Sequence, residues 1–273
     1  MNWRTRQILF RSTTVCIALV LWQVFAMALR NPHLAPGIPY LFEESYPSFA
    51  LFGNSATNDY GIATSTLAWN ALRTTERALL GLALGSALGV VLGVAIFALR
   101  TGRRSAQSIL GAATSIPLFG LMPLFVYWFA GRELGIILYV VVAVSLITAT
   151  ATYEATLNVP RQYQWQACLA GASRTAILRS VILPAIVPEL VLTFRWALGL
   201  VWAFTLGAEY LSSYSSGCGF LVYQSYLYAD VGKMLVMAGV YALLGSISMA
   251  IFNWAMKSPP LRHLTNRWEA SAN

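Results

Sequence analysis

The sequence predicts an all-α integral membrane protein, with about six transmembrane helices and a short cytoplasmic helix between the fourth and the fifth. Three observations carry this. Of the 273 residues, 58% are hydrophobic and 10% are charged, whereas a soluble domain carries roughly a quarter charged residues and needs them to cover its surface. The apolar residues gather into runs long enough for a bilayer core, which takes roughly 20 helical residues to cross. The basic residues keep to alternate loops, which fixes an orientation.

The first run is 12–29. A basic start, the apolar run and Ala26-Met27-Ala28 have the pattern of a signal peptide. The run is longer than a usual signal core, and Arg30 and Pro32 follow it at once, so a retained helix is expected. The loop over 30–71 carries Pro32, Pro36, Pro39 and Pro47 and reads as external and irregular, with room for one interfacial helix. Helix and loop make up an N-terminal unit, residues 1–71; residues 72–257 hold the transmembrane core, and 258–273 form a short cytoplasmic tail.

The second run, 74–98, places Gly81, Gly85, Gly89 and Gly93 four residues apart, on one slowly drifting helix face. Such a small-residue stripe lets helix backbones approach closely. The third run, 108–130, contains Pro117 and Pro123, which predict a kink or a break. The fourth is 134–152. The fifth, 186–208, has Pro188, Glu189 and Arg195 near its start, and the sixth is 234–256.

Arg4, Arg6 and Arg11, then Arg100, Arg103 and Arg104, then Arg161, Arg174 and Arg179, then Lys257, Arg262 and Arg267 all fall on one side after six crossings. The opposite loops hold Glu43, Glu44 and Asp59, Arg132 with Glu133, and Asp230 with Lys233. This is the positive-inside pattern, with both termini cytoplasmic. The net charge of +8 therefore reflects topology rather than a nucleic-acid surface.

Few polar residues lie at membrane depth. Glu76 is three residues from Arg73, the spacing of a local ion pair. Ser115, Arg195 and Glu209 are the candidates for a translocation pathway. Arg195 and Glu209 share a helix but stand about 21 Å apart at 1.5 Å per residue, so each needs its own partner or water.

Enzyme chemistry is missing. There is no Walker P-loop and no His-Glu-x-x-His. The two histidines, His33 and His263, fall on opposite sides of the expected membrane, and Cys16, Cys168 and Cys218 have no metal-binding spacing. No cofactor or metal is expected on this chain.

One segment interrupts the apolar pattern: WQACLAGASRTAILRSVILP, Trp165 to Pro184. Residues 162–170 suit a short helix, Gly171 a turn, Ser173 an N-cap and the stretch to Ile182 a second helix, which Pro184 is expected to end. Such a helix pair is poor at spanning a membrane and suited to docking.

The segment resembles the cytoplasmic signature of permease subunits of bacterial ABC importers: Glu-Ala-Ala, three residues, Gly, nine residues, Ile, one residue, Leu-Pro. Aligned on Gly171, this chain has Trp165, Gln166 and Ala167 at the Glu-Ala-Ala positions, Val181 for the Ile, and Leu183-Pro184. The spacing is kept, while the leading Glu and first Ala are replaced. The stretches ERALLGLALGSALGVVLGVAIF, SIPLFGLMPLFVYWFAGRELG, LPAIVPELVLTFRWALGLVWAFTLGAEY and GCGFLVYQSYLYAD, and Trp268 after a basic tail, look similar to the nitrate, sulfonate and taurine group of such permeases, over roughly residues 65–268.

The resemblance implies a permease of the bacterial inner membrane that passes a small anion by alternating access. It implies a cytoplasmic ATPase dimer that binds the ATP and magnesium, a second permease (another copy of this chain in the expected case), and a periplasmic or lipid-anchored binding protein. The coupling residues would be Gln166, Ala167, Gly171, Ala172, Ser173, Arg174, Ile177, Val181, Leu183 and Pro184. Another small organic solute, such as a pyrimidine vitamin precursor or an aromatic acid, is the alternative cargo. An ATP-independent secondary transporter or a channel would leave the Gly171/Leu183-Pro184 segment without a use.

Overall fold

The computed structural model describes residues 3–53, 55–99, 103–212 and 216–257. The expectations placed on Arg100, Arg262, His263, Arg267, Trp268 and the 258–273 tail fall outside these residues, as do the side chains of Arg4, Arg6, Arg11 and Arg103. The described chain is helical throughout: α1 (Trp3–Leu29), α2 (Ile38–Tyr40) running into a π turn (Leu41–Ser45) and a 3-10 stretch (Pro47–Gly53), α3 (Tyr60–Ala98), α4 (Arg103–Ser115), α5 (Leu118–Trp128), α6 (Glu133–Asn158), α7 (Arg161–Leu169), α8 (Arg174–Ile177) continuing through a π turn (Leu178–Ile182) into α9 (Leu183–Ser212), α10 (Cys218–Leu227) and α11 (Val231–Met256).

Four stretches are long and apolar enough to cross a bilayer: Tyr60–Ala98, Glu133–Asn158, Arg174–Ser212 and Val231–Met256. The α4–α5 pair, bent by 86°, makes a fifth if it counts as one broken span. In α1 the apolar part is the shorter Thr13–Leu29. Among the described residues the count by length and composition is thus four or five, and the shorter apolar helix Thr13–Leu29 stands where the first of about six runs was expected.

Two elements differ from the sequence expectation, and the third run breaks as expected. The 30–71 loop ends early, because Asp59 caps α3 by accepting the Ile62 backbone N–H at 2.8 Å. With its first turn satisfied the helix starts at Tyr60 and buries Ala63, Thr66, Leu67 and Asn70. Pro117 breaks the third run, while Pro123 sits inside α5 without ending it. Pro184 does not end the helix begun at Arg174. The π turn before it lengthens the repeat, so that the Leu183 N–H reaches back five residues to the Leu178 carbonyl. Pro184 then falls in the first turn of α9, where a missing N–H costs little.

The closest packing is between α3 and α6, which run parallel. Gly81, Gly85, Gly89 and Gly93 face Val140, Val144, Thr148 and Thr152, four residues per step on both helices. A Cβ on Gly85 would lie 2.8 Å from Val144 Cβ, and one on Gly89 would lie 2.7 Å from the Ser145 carbonyl. Any side chain there would push the backbones apart. Around this seam Ala78, Leu82, Met122, Ile136, Tyr139, Ala197, Val201 and Phe204 form the main core, drawn from α3, α5, α6 and α9.

At one end of the seam sits a buried ionic node. Arg77 and Glu209 are 1% and 0% exposed. Arg77 Nη1 donates to Glu209 Oε1 at 2.7 Å and to the Ser216 carbonyl at 2.9 Å; Nη2 donates to Ser216 Oγ at 3.0 Å and Nε to Glu133 Oε1 at 3.3 Å. Glu209 Oε2 also accepts from Thr74 Oγ1 and from the Gly219 N–H, each at 2.9 Å. Thr74 Oγ1 in turn accepts the Cys218 N–H at 2.8 Å, and Asn70 Oδ1 accepts the Gly217 N–H at 2.6 Å. One cluster therefore joins α3, α6, α9 and the start of α10. Beside it, Arg73 pairs with Glu76 at 2.9 Å on the surface.

Two outcomes are expected. Gly89→Leu should overpack the seam by about 1–3 kcal/mol and lower the Tm of the detergent-solubilised protein by several degrees, with Gly111→Ala, at a site with nothing within 4 Å, as the unaffected control. Removing one partner of the buried pair, Arg77→Met or Glu209→Leu, should cost on the order of 3–5 kcal/mol. The double variant should recover part of that loss in the same thermal melt, because no lone charge is left buried.

Candidate coupling site

The 160–184 segment is built by local rules. Helix α7 ends in a Schellman motif: the Gly171 N–H donates to the Cys168 carbonyl at 3.0 Å, and the Ala172 N–H to the Ala167 carbonyl at 3.0 Å. This closure needs the left-handed conformation that Gly171 adopts at φ +80°. Two residues on, Ser173 caps α8 by accepting the Ala176 N–H at 3.3 Å. The turn therefore reverses the chain with its orphan backbone groups partnered.

Its footing is apolar. Ile182 and Ile186 pack with Ala155 and Val159 at the end of α6, and Phe97, Ile177, Leu178 and Leu183 close over them. This fixes the angle at which α8 leaves the bundle. The far side of the segment has no cover among the described residues: Tyr163, Trp165 and Leu169 are 51%, 65% and 89% exposed. Gln166, Gly171, Ser173, Arg174 and Pro184 are exposed as well, while Ala167, Ala172, Ile177, Val181 and Leu183 are half-buried. The segment has the form of a rigid protrusion with apolar and basic groups on its outer surface. Among the described residues, no group of three or more His, Cys, Asp or Glu side chains gathers to hold a metal. The arrangement is suited to docking.

The other sequence candidates are dispersed. Ser115 ends α4 on an exposed face, and its hydroxyl donates to the Gly111 carbonyl of its own helix at 2.9 Å. Arg195 is exposed partway along α9. Glu209 lies at the other end of α9, buried in the ionic node, where Arg77, Thr74 and Gly219 supply the partners that sequence spacing left unnamed. Sequence reasoning missed Asn70, Thr74 and Arg77 as a unit, although positions i, i+4 and i+7 on an otherwise apolar helix share one face. The neighbouring Glu76 offered a local explanation for the charge and hid the long-range one.

Comparisons with known proteins show the family of the chain. Residues 85–257 match the family described as binding-protein-dependent transport system inner membrane component. The aliphatic sulfonates transport permease protein SsuC of Escherichia coli (strain K12) is 30% identical over 188 residues, covering 68% of this chain and 71% of that protein. The taurine transport system permease protein TauC of the same organism is 26% identical, covering 88% of this chain and 85% of that one. In fold, the chain superposes on the inward-facing MetNI methionine ABC transporter with a TM-score of 0.61 at 18% identity, over 74% of this chain and 97% of that one. The chain belongs to the binding-protein-dependent transport system inner membrane component family, as one of its permeases.

Proposed function

We propose that this chain is the membrane-spanning half-pathway of an ATP-driven importer and that the protrusion around Gly171 is the lever through which a separate ATPase moves it. The observation that carries this is the continuity of the segment: α8 passes through its π turn into α9 without a break, so a push on the exposed face reaches a membrane helix directly. The ATPase dimer would bind the ATP and magnesium. A second permease, a copy of this chain, would complete the pathway, and a periplasmic or lipid-anchored protein would deliver the solute. The names of the two Escherichia coli relatives support a small sulfonate-like anion as cargo. The basic loops support placing both termini and the Gly171 segment on the cytoplasmic side of the inner membrane.

The geometry supports the coupling residues that the resemblance implies. Gly171, Ala167 and Ala172 hold the turn; Ser173 starts the lever helix; Arg174 and Gln166 are free to meet acidic or polar groups of the ATPase. Ile177, Val181, Leu183 and Pro184 carry the load into α9. Trp165 stands where the resembling signature has a Glu. Its exposure supports an apolar contact with the partner in place of a charged brace.

Gly171→Pro loses the turn's hydrogen bond and cannot take φ +80°. It should abolish ATP-driven uptake into proteoliposomes while leaving membrane insertion intact; undiminished uptake would remove the coupling role. Trp165→Glu should keep uptake within a few-fold of the parent, and loss of the co-purifying ATPase would show instead that the indole belongs to the docking surface. For orientation, exposed Cys168 should react with a membrane-impermeant maleimide only in opened cells. Labelling in intact cells would invert the topology.

A further inference from the structure

Arg195 is a charge without a visible reason. Among the described residues the ion pairs are Arg73–Glu76, Arg77–Glu133, Arg77–Glu209 and Lys233–Asp230, and Arg195 enters none of them. Its depth can be placed from two helices independently. On α9 it stands six residues inside Glu189, about 9 Å, and 14 residues, about 21 Å, from the node at Glu209. It opens on a cavity of about 450 Å³ shared with Met249 of α11. Met249 is eight residues, about 12 Å, inside Lys257. If Glu189 and Lys257 mark the polar boundary, the Arg195 backbone lies about 10 Å inside it, in a hydrocarbon core of about 30 Å. A cation at that depth is costly unless it faces water, protein or an anion.

The cavity around it is shaped for a small guest. Leu192, Trp196 and Met249 line it, and Trp196 is 67% exposed. One turn beyond Arg195 is Gly199, where a Cβ would meet nothing within 4 Å, so the helix carries an open notch beside the guanidinium. An exposed guanidinium, an exposed indole and an open notch suit a compact oxyanion with a short organic tail. The oxyanion bonds to the guanidinium fork and the tail lies on the ring.

We infer that Arg195, with Trp196 and the Gly199 notch, forms a subsite within the membrane for an oxyanion solute in transit. The inference rests on the permease reading above and names the charge that the pathway would admit. A phospholipid phosphate has the same chemistry, so the test must separate the two sources.

The test uses the assembled transporter in liposomes. Cys16→Ser and Cys168→Ser remove the two exposed thiols, and Cys218 is buried. Gly199→Cys then places a thiol in the notch. Its reaction rates with an anionic reagent, sulfonatoethyl methanethiosulfonate, and a cationic one, trimethylammonioethyl methanethiosulfonate, are compared. The anionic-to-cationic rate ratio should fall by about tenfold or more on Arg195→Gln and stay near the parent value on Arg195→Lys. Millimolar ethanesulfonate should slow the anionic reagent in the parent but not in Arg195→Gln. Absence of reaction with either reagent would mean the notch faces hydrocarbon, and a ratio unmoved by Arg195→Gln would mean the guanidinium does not act there. Either result overturns the subsite. A preference lost when phosphatidylcholine is exchanged for phosphatidylglycerol, with no protection by ethanesulfonate, would assign the site to lipid and also overturn it. The reading as an ATP-coupled permease stands or falls separately, on uptake by Gly171→Pro.

Discussion

The guanidinium of Arg77 is the constraint on which one end of this bundle depends. It is almost wholly buried, and a buried charge is tolerated only when its donors are satisfied. Satisfying them draws in Glu209 from α9, Glu133 from the start of α6 and Ser216 from the connection before α10. Each partner comes from a different part of the chain. The relative height of four helices is thereby set to within a hydrogen-bond length. Hydrophobic contact could not do this, because apolar surfaces packed within lipid slide past one another at little cost. Directional, charge-assisted bonds supply a register that apolar packing lacks.

The glycine seam supplies the complementary constraint. Four glycines bring the α3 backbone against α6 over their whole shared length, and the β-branched residues opposite them, Val140, Val144, Thr148 and Thr152, present broad stiff surfaces that fill the groove. Seam and node together make α3 and α6 one rigid pair fixed in separation and in height. Helices α5 and α9 pack on that pair through the core around Met122, Tyr139 and Phe204. Exposed apolar side chains lie along α1, on α5 and α11, and also on α3 itself, at Leu80, Leu84, Leu88 and Val91.

Much of this was legible in the sequence, in proportion to how local the cause is. Apolar runs, the glycine period and the turn at Gly171 each arise within a few residues, and each could be read directly. The early start of α3 was also local, since Asp59 is an ordinary N-cap, but the prolines before it drew attention to irregular structure. The passage through Pro184 was not legible. Proline usually ends a helix, and only a π turn five residues long, with its altered hydrogen-bond step, lets this one continue. The node was least legible of all, since Arg77 and Glu209 are 132 residues apart and nothing between them announces the pair. Sequence reasoning found Glu209 as an expensive group needing a partner, and the partner emerged only once the chain was folded.

The helical run from Arg174 to Ser212 behaves as a single beam of 39 residues, about 58 Å long. It is bolted near one end, at Glu209; at the other Arg174 is exposed, and any tilt about the bolt carries the apolar footing at Ile182 and Ile186 with it. For a beam held this way, displacement grows in proportion to distance from the bolt. A tilt of about 5° moves Arg174 by roughly 5 Å, Arg195 by roughly 2 Å and the bolted end hardly at all. Under the proposed coupling, a large stroke at Arg174 would become a small one at Arg195 and almost none at Glu209.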